Sequence, residues 1–586
     1  MVESESPKST YAWWLRLGVQ LATWATGLVF VPFSDPLNYS WSSGMHRPFR
    51  YLVIATTRLA RISARRASTD KRSHSCTLLL ALFTVIVGSQ AAPLPAAEPL
   101  KPNIVYILAD DLGYGDVGCY NPASKIPTPN IDRLAKEGAR FTDAHSPSAV
   151  CTPTRYALLT GRYAWRTRLQ RNVLGPFSPP LIAEKQLTVA SLLRAQGYST
   201  ASIGKWHLGW GWPNPGDGGK RDFTKPIPAG PTTRGFDLYF GTDVPNYPPY
   251  CFLENDHTVG IPSTAAPVGQ DSFNIAGPML PGWKLVEVLP ELEKRAVEYI
   301  QKATKGDKPF FLYLPLTSPH YPVVPTAEFK GKSKAGEYGD FVVQTDHVVG
   351  QVLDALKKSG SAEKTLVILT SDNGPEVTGE VNPGAYDRLK EFGHASMGIL
   401  RGAKRDAWEG GHRVPFIARW PGKIPAASSC DETICHVDLL ATLAALLDVK
   451  LPVDAGVDSV NILPALLGEK RKAPLREATV LHSGQGKFAI RRGEWVLILA
   501  PTGDDNRKQG EPLWFQKERG YAAHTEAGEL FNLKVDPSQK NNLYATETTK
   551  VTELTTLLNR YVAEGRSTHG PKQKNDELVR WRQNRK

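Results

Sequence analysis

Long apolar runs are missing from this sequence. The clearest one, residues 77–88, spans about a dozen residues and is too short to cross a bilayer comfortably. It follows Lys71 and Arg72 and precedes small residues, a pattern typical of a signal peptide cleaved between Ala91 and Ala97. We therefore predict an exported protein, periplasmic or secreted, with no stable membrane span in the mature chain.

A second apolar stretch, residues 11–33, lies closer to the N-terminus and is interrupted by Arg16. Two interpretations of it stay open. It is either a membrane-proximal segment or part of an over-called translation start, with Met45 or a later codon as the true start.

Cysteine is also scarce, with six residues in 586. Cys76 belongs to the signal-like stretch, and an odd number in the remaining exported chain marks one thiol with a different role. The other four could form two disulfides in three possible pairings, and Cys430 and Cys435 are close enough in sequence to bridge a small loop. The five cysteines beyond the signal are Cys119, Cys151, Cys251, Cys430 and Cys435.

Clustered positive charge is missing too, apart from the C-terminal tail. The formal net charge of +12 comes from basic residues that are spread along the chain, so we expect no nucleic-acid partner. A hydrophobic content of 41% is enough for a packed interior, and 50 glycines with 46 prolines indicate many loops.

Apolar strand-like runs alternate with helix-compatible segments through residues 98–475. This pattern predicts an α/β catalytic domain with a mostly parallel central sheet flanked by helices. Binding sites of such sheets lie at the carboxyl ends of the strands. The predicted strands are 103–109, 200–203, 310–315, 365–370 and 415–420, and the predicted helices are 128–138 and 188–197.

Shorter strands follow after about residue 475 and predict a smaller antiparallel sheet with one helix, residues 476–568. Its strands are predicted at 478–482, 487–490, 495–500 and 529–533, and its helix at 550–562. Residues 1–97 form an N-terminal extension with the signal peptide, and residues 569–586 a basic, loose tail. The segment 210–285 is rich in glycine and proline, so we expect loops there that wrap the site.

The sharpest local motif is C-T-P-T-R, from Cys151 to Arg155, followed by L-T-G-R at 159–162. Alone it could be a buried structural cysteine beside a turn. It resembles the signature of the sulfatase family, in which a formylglycine-generating enzyme oxidises the cysteine to formylglycine. The commonest version has Ser where Thr154 stands, and Thr keeps the hydroxyl.

Oxygen ligands follow two of the predicted strands. Asp110 and Asp111 follow the first, and Asp372 and Asn373 follow residues 365–370. Carboxylate and amide oxygens suit Ca²⁺ or Mg²⁺ rather than zinc, and two acidic pairs on adjacent strand ends would repel without a cation. Sulfatases hold their metal with a D-D pair and a D-N pair in this order, so the resemblance implies a Ca²⁺ site, with Mg²⁺ possible, at these four residues.

Three further runs resemble sulfatase signatures: G-K-W-H-L-G from Gly204, S-P-H from Ser318, and the late block from 400 to 415. Taken singly, each lysine or arginine would more often be a solvated surface charge. The resemblance extends over residues 102–543, favours the arylsulfatase A and N-acetylgalactosamine-6-sulfatase type, and implies an alkaline phosphatase-like fold. It places five groups around the nucleophile and the sulfate: Arg155, Lys205, His207, His320 and Lys404.

The resemblance implies a sulfuric ester hydrolase acting on a sulfated small molecule or carbohydrate. In its mechanism hydrated formylglycine attacks sulfur, Lys205 or His320 protonates the leaving alcohol, and His207 takes a proton as the aldehyde reforms. Asn246 is a candidate sulfate contact. We expect the loops 165–185 and 210–285 to set specificity, with Trp210 and His394 as candidate pocket walls.

Two alternatives remain. One is a phosphodiester or phosphonate monoester hydrolase of the same superfamily, which is disfavoured because such enzymes tend to place His where Asn373 follows Asp372. The other is an inactive protein that binds sulfated glycans, which the intact nucleophile, metal and cation sets disfavour.

Overall fold

A ten-stranded mixed sheet runs through the middle of the protein. The computed structural model describes residues 101–213, 221–269, 273–377 and 383–581. In spatial order the strands are β13 (Ser428–Cys430), β2 (Ala139–Phe141), β12 (Phe416–Arg419), β11 (Thr365–Ser371), β1 (Asn103–Ala109), β10 (Phe310–Pro315), β4 (Ser199–Lys205), β5 (Leu238–Thr242), β6 (Leu253–Glu254) and β7 (His257–Thr258).

The five central strands β11, β1, β10, β4 and β5 pair in parallel, while β12 and β6 join them antiparallel. The prediction of a mostly parallel sheet is therefore confirmed. Residues of β1 point alternately into two cores: Tyr106 belongs to one hydrophobic cluster and Ile107 to the other. Because both faces are covered, the central strands are apolar along nearly their whole length.

Helices cover the two faces of this sheet. The cluster of Ile107 contains residues of α1 (Pro129–Glu137), α4 (Val288–Ala303) and α5 (Gly336–Lys358). The cluster of Tyr106 contains residues of α2 (Cys151–Thr160), α3 (Val189–Ala195), α8 (Leu439–Leu446) and α9 (Leu463–Leu466). Shorter elements complete this part of the chain: β3 (Ala144–His145) pairs with β14 (Ile434–Cys435), β8 (Thr264–Ala265) pairs with β9 (Pro278–Met279), and α6 (Ala385–Phe392) and α7 (Glu409–His412) precede β12.

A second, smaller sheet is antiparallel throughout, as predicted. Its strands are β15 (Thr479–His482), β16 (Phe488–Arg492), β17 (Trp495–Ile498) and β18 (Glu529–Asn532). The helix α10 (Leu513–Arg519) precedes β18, and α11 (Thr548–Glu564) packs on the sheet. Their shared core includes Tyr163 and Trp165 from the larger part, so the small sheet is joined to it by buried contacts.

The C-terminal segment differs from the expected loose tail. Over its described part, residues 569–581, Asp576 forms an ion pair of 2.9 Å with Arg162, and Val579 is buried. Gln170 donates a hydrogen bond of 3.0 Å to the carbonyl of Leu578. These residues are instead attached to the core, because Asp576 pairs with Arg162 and because Val579 and Trp581 pack against the hydrophobic core of the small sheet.

None of the disulfides that the sequence allowed forms in the described chain, whose five cysteines are all free. Cys430 lies in β13, in register with Phe141, whereas Cys435 lies in β14 of another sheet, in register with His145. Nearness in sequence therefore did not bring these two thiols together.

The predicted signal peptide, the stretch 11–33 and the residues near Met45 lie outside the described residues. Within the described ranges, none of the helices has the length and apolar character needed to traverse a bilayer.

Candidate active site

Polar side chains from four neighbouring parallel strands meet at the carboxyl edge of the large sheet. Asp110 and Asp111 follow β1, Asp372 and Asn373 follow β11, Lys205 ends β4, and His320 follows β10. The spatial order β11-β1-β10-β4 places these strand ends side by side, as the sequence led us to expect.

Three buried carboxylates form the centre of this cluster. The backbone N–H of Asp111 donates to Asp372 Oδ1 at 3.2 Å, and Asn373 Nδ2 donates to Asp111 Oδ1 at 2.7 Å. Asp111 has a φ of 68°, a left-handed conformation that Asp tolerates better than most residues. Burial and the neighbouring Asp110 raise the pKa of Asp372 to about 7, which reflects the cost of crowding carboxylates in a dry site.

Three cationic side chains compensate these carboxylates. Lys205 Nζ lies 2.7 Å from Asp110 Oδ2, and Lys404 Nζ lies 2.7 Å from Asp111 Oδ2. Arg155 Nη2 lies 2.7 Å from Asp372 Oδ2.

The charges of these groups perturb one another. Burial opposes ionisation of Asp110, but Lys205, His320 and Arg155 outweigh it and hold the pKa of Asp110 well below its usual range. Burial likewise disfavours the charged form of Lys404, yet Asp111 raises its pKa well above the ordinary value. The lysines therefore stay protonated, and the site holds fixed positive charge.

Cys151 is the first residue of α2 and is 2% exposed. Its Sγ lies 3.7 Å from Asp110 Oδ1, at the edge of the carboxylate cluster. Burial raises the pKa of the thiol to about 12, although Lys205 acts in the opposite direction. An unmodified thiol in this position would be neutral at pH 7 and therefore a poor nucleophile.

Two histidines line a cavity together with the thiol. His207 Nε2 lies 2.9 Å from the carbonyl oxygen of Leu174, and its Nδ1 is buried with no hydrogen-bond partner among the described residues. Burial, then Lys205, holds the pKa of His207 well below its usual value. Burial and Lys404 lower the pKa of His320 to about 4, and His320 Nδ1 contacts the carbonyl of Tyr321. Both imidazoles are therefore neutral near pH 7.

A cavity of about 250 Å³ opens onto this cluster. It is lined by the four predicted residues Cys151, His207, His320 and Lys404, and by Asn246, whose Oδ1 is buried and lacks a partner within the described chain. Larger cavities of about 950 and 1290 Å³ lie elsewhere and contain none of the residues predicted for the site.

The walls of the cavity include residues that the sequence did not single out: Asn172, Val173, Val244, Tyr247, Tyr321, Glu376, Arg405 and Gly484. The first three and Tyr247 belong to the loops 165–185 and 210–285 that we expected to surround the site. Glu376 and Arg405 form an ion pair with each other. Because they lie close in sequence to the motif residues Gly374 and Lys404, the sequence could have indicated them as wall residues. Gly484 lies in the loop between β15 and β16 and gave no signal in the sequence.

Trp210 and His394 are not wall residues, which corrects our expectation for both. Trp210 packs in the core against Tyr239, with ring centroids 5.3 Å apart. His394 is fully buried, and its Nε2 lies 2.7 Å from Asp116 Oδ1. Aromatic packing accounts for the position of Trp210, and a buried hydrogen bond accounts for that of His394.

The carboxylate cluster fits a hard divalent cation. Ligand atoms of Asp110, Asp111, Cys151 and His320 all lie within 4.8 Å of one another. Asn373 Oδ1 is buried and has no partner among the described residues, so it has lone pairs free for a ligand. With Asp372, whose Oδ1 accepts the N–H of Asp111 at 3.2 Å, four of these six residues offer oxygen, which suits Ca²⁺ or Mg²⁺ better than zinc.

Comparison with known proteins agrees with this geometry. The family model described as Sulfatase matches residues 102–449. An N-acetylgalactosamine-6-O-sulfatase of Bacteroides thetaiotaomicron is 36% identical, over 78% of this chain and 92% of that protein. Human arylsulfatase A is 36% identical, over 80% of this chain and 86% of that protein.

Solved structures give the same result. A Bacteroides thetaiotaomicron protein described under the metabolism of multiple glycosaminoglycans superposes with a TM-score of 0.68 at 35% identity, over 79% of this chain and 99% of that one. A sulfatase from Pseudoalteromonas sp. superposes with a TM-score of 0.62 at 27% identity, over 80% and 91% of the two chains.

Proposed function

Because this chain belongs to the sulfatase family and is a sulfuric ester hydrolase, we propose that its nucleophile is a formylglycine made from Cys151. We further propose that Asp110, Asp111, Asp372 and Asn373 hold one divalent cation, Ca²⁺ rather than Mg²⁺. The observation that carries both proposals is the position of Cys151 Sγ, 3.7 Å from Asp110 in a cavity that also exposes Lys404 and two histidines.

The charge of the site supports an anionic substrate. Three carboxylates face three cationic side chains, so a bound divalent cation leaves an excess of positive charge. An ester sulfate brings negative charge into that excess, where buried cations stabilise it more strongly than water would.

The sulfatase family implies two further groups, a formylglycine and a divalent cation, and the unmodified side chains provide neither a good nucleophile nor a divalent charge. Formylglycine supplies a hydrated aldehyde hydroxyl as nucleophile, and a divalent cation supplies positive charge for the sulfuryl oxygens. We propose that Arg155, Lys205 and Lys404 hold the remaining sulfate oxygens and the carboxylates in place.

Proton transfer falls to Lys205 and His207 in this proposal. Lys205 stays protonated and can donate to the leaving alcohol. Neutral His320 donates through Nδ1–H to Tyr321 and presents only a lone pair at Nε2, so it is the weaker acid of the two candidates. His207 Nδ1 is the group that takes a proton from the nucleophile's side of the cavity.

We propose a sulfated carbohydrate as the natural substrate. Relatives that cover most of this chain include an N-acetylgalactosamine-6-O-sulfatase, and the cavity wall carries Asn172, Asn246, Glu376 and Arg405, which can hydrogen-bond sugar hydroxyls. We also propose export by the N-terminal signal and maturation by a formylglycine-generating enzyme. We also propose that the N-terminal extension ends at residue 97, the catalytic domain at residue 475 and the smaller C-terminal domain at residue 568.

The test is co-expression with a formylglycine-generating enzyme, followed by two measurements. Peptide mass spectrometry reports the fraction of Cys151 converted to the aldehyde. Sulfate release is measured from an aryl sulfate and a panel of sulfated sugars, with an aryl phosphodiester in parallel. Turnover of sulfate that rises with aldehyde content is expected; an active preparation with only unmodified thiol at Cys151 would overturn the nucleophile, and faster phosphodiester cleavage would favour the rival hydrolase.

A further inference from the structure

The proton on His207 is placed by a backbone carbonyl. Leu174 O can only accept a hydrogen bond, so the 2.9 Å contact requires a proton on His207 Nε2. In a neutral imidazole the other nitrogen, Nδ1, then carries the lone pair. Nδ1 is the atom that has no partner in the described chain, in a residue that lines the cavity with Cys151.

The same leucine is held by the residue that follows Cys151. The N–H of Leu174 donates to Thr152 Oγ1 at 3.2 Å, and Thr152 is fully buried in the first turn of α2. Leu174 thus donates its N–H to the Thr152 hydroxyl and accepts the Nε2–H of His207 at its carbonyl oxygen. Thr152 occupies a variable position of the C-x-P-x-R motif, so the motif itself gives it no role.

The segment that carries Leu174 has other anchors. Gln170 donates to Leu578 O at 3.0 Å and accepts from the N–H of Arg580 at 3.3 Å. The N–H of Asn172 donates to Gly484 O at 2.6 Å. Loss of the Thr152 hydroxyl would therefore loosen the backbone around Leu174, including its carbonyl, without releasing the whole segment 170–174.

We propose that Thr152 is a positioning residue for His207, acting through Leu174 to keep the proton on Nε2 and leave Nδ1 as the acceptor in the cavity. The inference rests on the proposed function, since it specifies how the proposed base is set. If the backbone on either side of the Leu174 Cα shifts, its carbonyl no longer fixes one tautomer, and part of the His207 population presents a proton where a lone pair is needed.

Three variants test this, each normalised to its aldehyde content at position 151. Thr152→Val removes the hydroxyl at nearly constant volume, and Thr152→Ser keeps it. Thr442→Val is the matched control, because Thr442 is also buried, its Oγ1 accepts the N–H of Ile462 at 3.0 Å, and it does not line the cavity. Thr152→Ala repeats the deletion if the valine variant does not fold.

For Thr152→Val we expect kcat on an aryl sulfate to fall roughly five- to tenfold, the effect of about one hydrogen bond, with KM within about twofold. Thr152→Ser is expected to stay within about twofold of wild type, and Thr442→Val to lose thermal stability without losing kcat. Equal kcat in Thr152→Val and wild type, or an equal loss in Thr442→Val, overturns the proposal.

A second readout does not depend on turnover. Histidine-selective ¹⁵N NMR, with His207→Gln to assign the signal, reports which ring nitrogen carries the proton. We expect a single Nε2–H tautomer in wild type and a mixture in Thr152→Val. If wild type lacks sulfatase turnover, the proposed function fails while the spectrum still tests the positioning; an unchanged tautomer in Thr152→Val refutes the positioning alone.

Discussion

Lys404→Met separates the two proposed roles of this lysine, which are to compensate the charge of Asp111 and to contact the sulfate. The methionine keeps an apolar stem of similar length and removes the charge. Lys404 Nζ lies 2.7 Å from Asp111 Oδ2 and 3.3 Å from Glu376 Oε2, and the residue lines the cavity at 5% exposure. The change therefore removes a buried ion pair and a cation that faces the substrate.

The magnitudes follow from these contacts. Breaking a buried ion pair by removing one partner costs about 3–5 kcal/mol. Asp111 also accepts a bond of 2.7 Å from Asn373, so we expect the lower end, about 3 kcal/mol. For catalysis, losing one preorganised group that stabilises developing charge lowers kcat by about 10²–10³. A bound divalent cation compensates Asp111 in place of the lysine, so saturating Ca²⁺ should shrink the stability loss but not the loss of turnover.

The assay combines steady-state hydrolysis of an aryl sulfate with thermal unfolding in EDTA and in Ca²⁺. Lys487→Met is the control, because Lys487 is ion-paired at 3.5 Å with Asp505 and lies outside the cavity wall. A kcat/KM for Lys404→Met within about twofold of wild type would refute the proposed contact with sulfate. An equal drop in Tm with and without Ca²⁺ would refute the placement of the cation beside Asp111.

Three further outcomes are expected. Cys151→Ala should abolish sulfate release while circular dichroism and Tm stay close to wild type, because the thiol makes only a 3.7 Å contact; residual turnover would contradict its role. Asp372→Asn should lower bound Ca²⁺, measured by elemental analysis, together with activity; unchanged metal content would remove it from the ligands. Burial and Arg171 lower the pKa of His482 to about 4, so the stability contributed by its neutral form is fully present above about pH 6.5 and is lost as the pH falls towards 4. His482→Phe should therefore flatten the dependence of Tm on pH between these values. An unchanged slope would contradict this role of His482.

The central strands could be predicted because a sheet that is covered on both faces has strands with continuous apolar sequences. β1, β10 and β11 are apolar on both faces, and the sequence shows them as short apolar runs bounded by polar residues. The ends matched closely: residues 103–109 and 310–315 were predicted and observed with the same bounds. The helix α2 was not predicted, since Cys151–Arg155 was interpreted only as a motif.

The site was predictable to the extent that its residues follow strands. Asp110 and Asp372 are 262 residues apart in number, yet parallel pairing of β1 with β11 places their strand ends together. Residues of the wall that stand on loops from other parts of the chain, such as Gly484 and Tyr247, depend on tertiary packing. No local pattern encodes that packing, so the sequence could not name them.

The C-terminal segment shows why composition failed as a guide to order. Its polarity predicted a loose tail, but polar residues also provide hydrogen-bond acceptors for buried and partly buried arginines. Arg162 donates two hydrogen bonds to the carboxylate of Asp576. Arg166, which is fully buried, donates one of 2.9 Å to Asn575 and also forms an ion pair with Asp458. Since Gln170 is bound to the same segment, the tail also holds the loop that carries Leu174 towards His207. Together with the packing of Val579 and Trp581 against the core of the small sheet, these bonds let the C-terminal segment contribute to the geometry of the site.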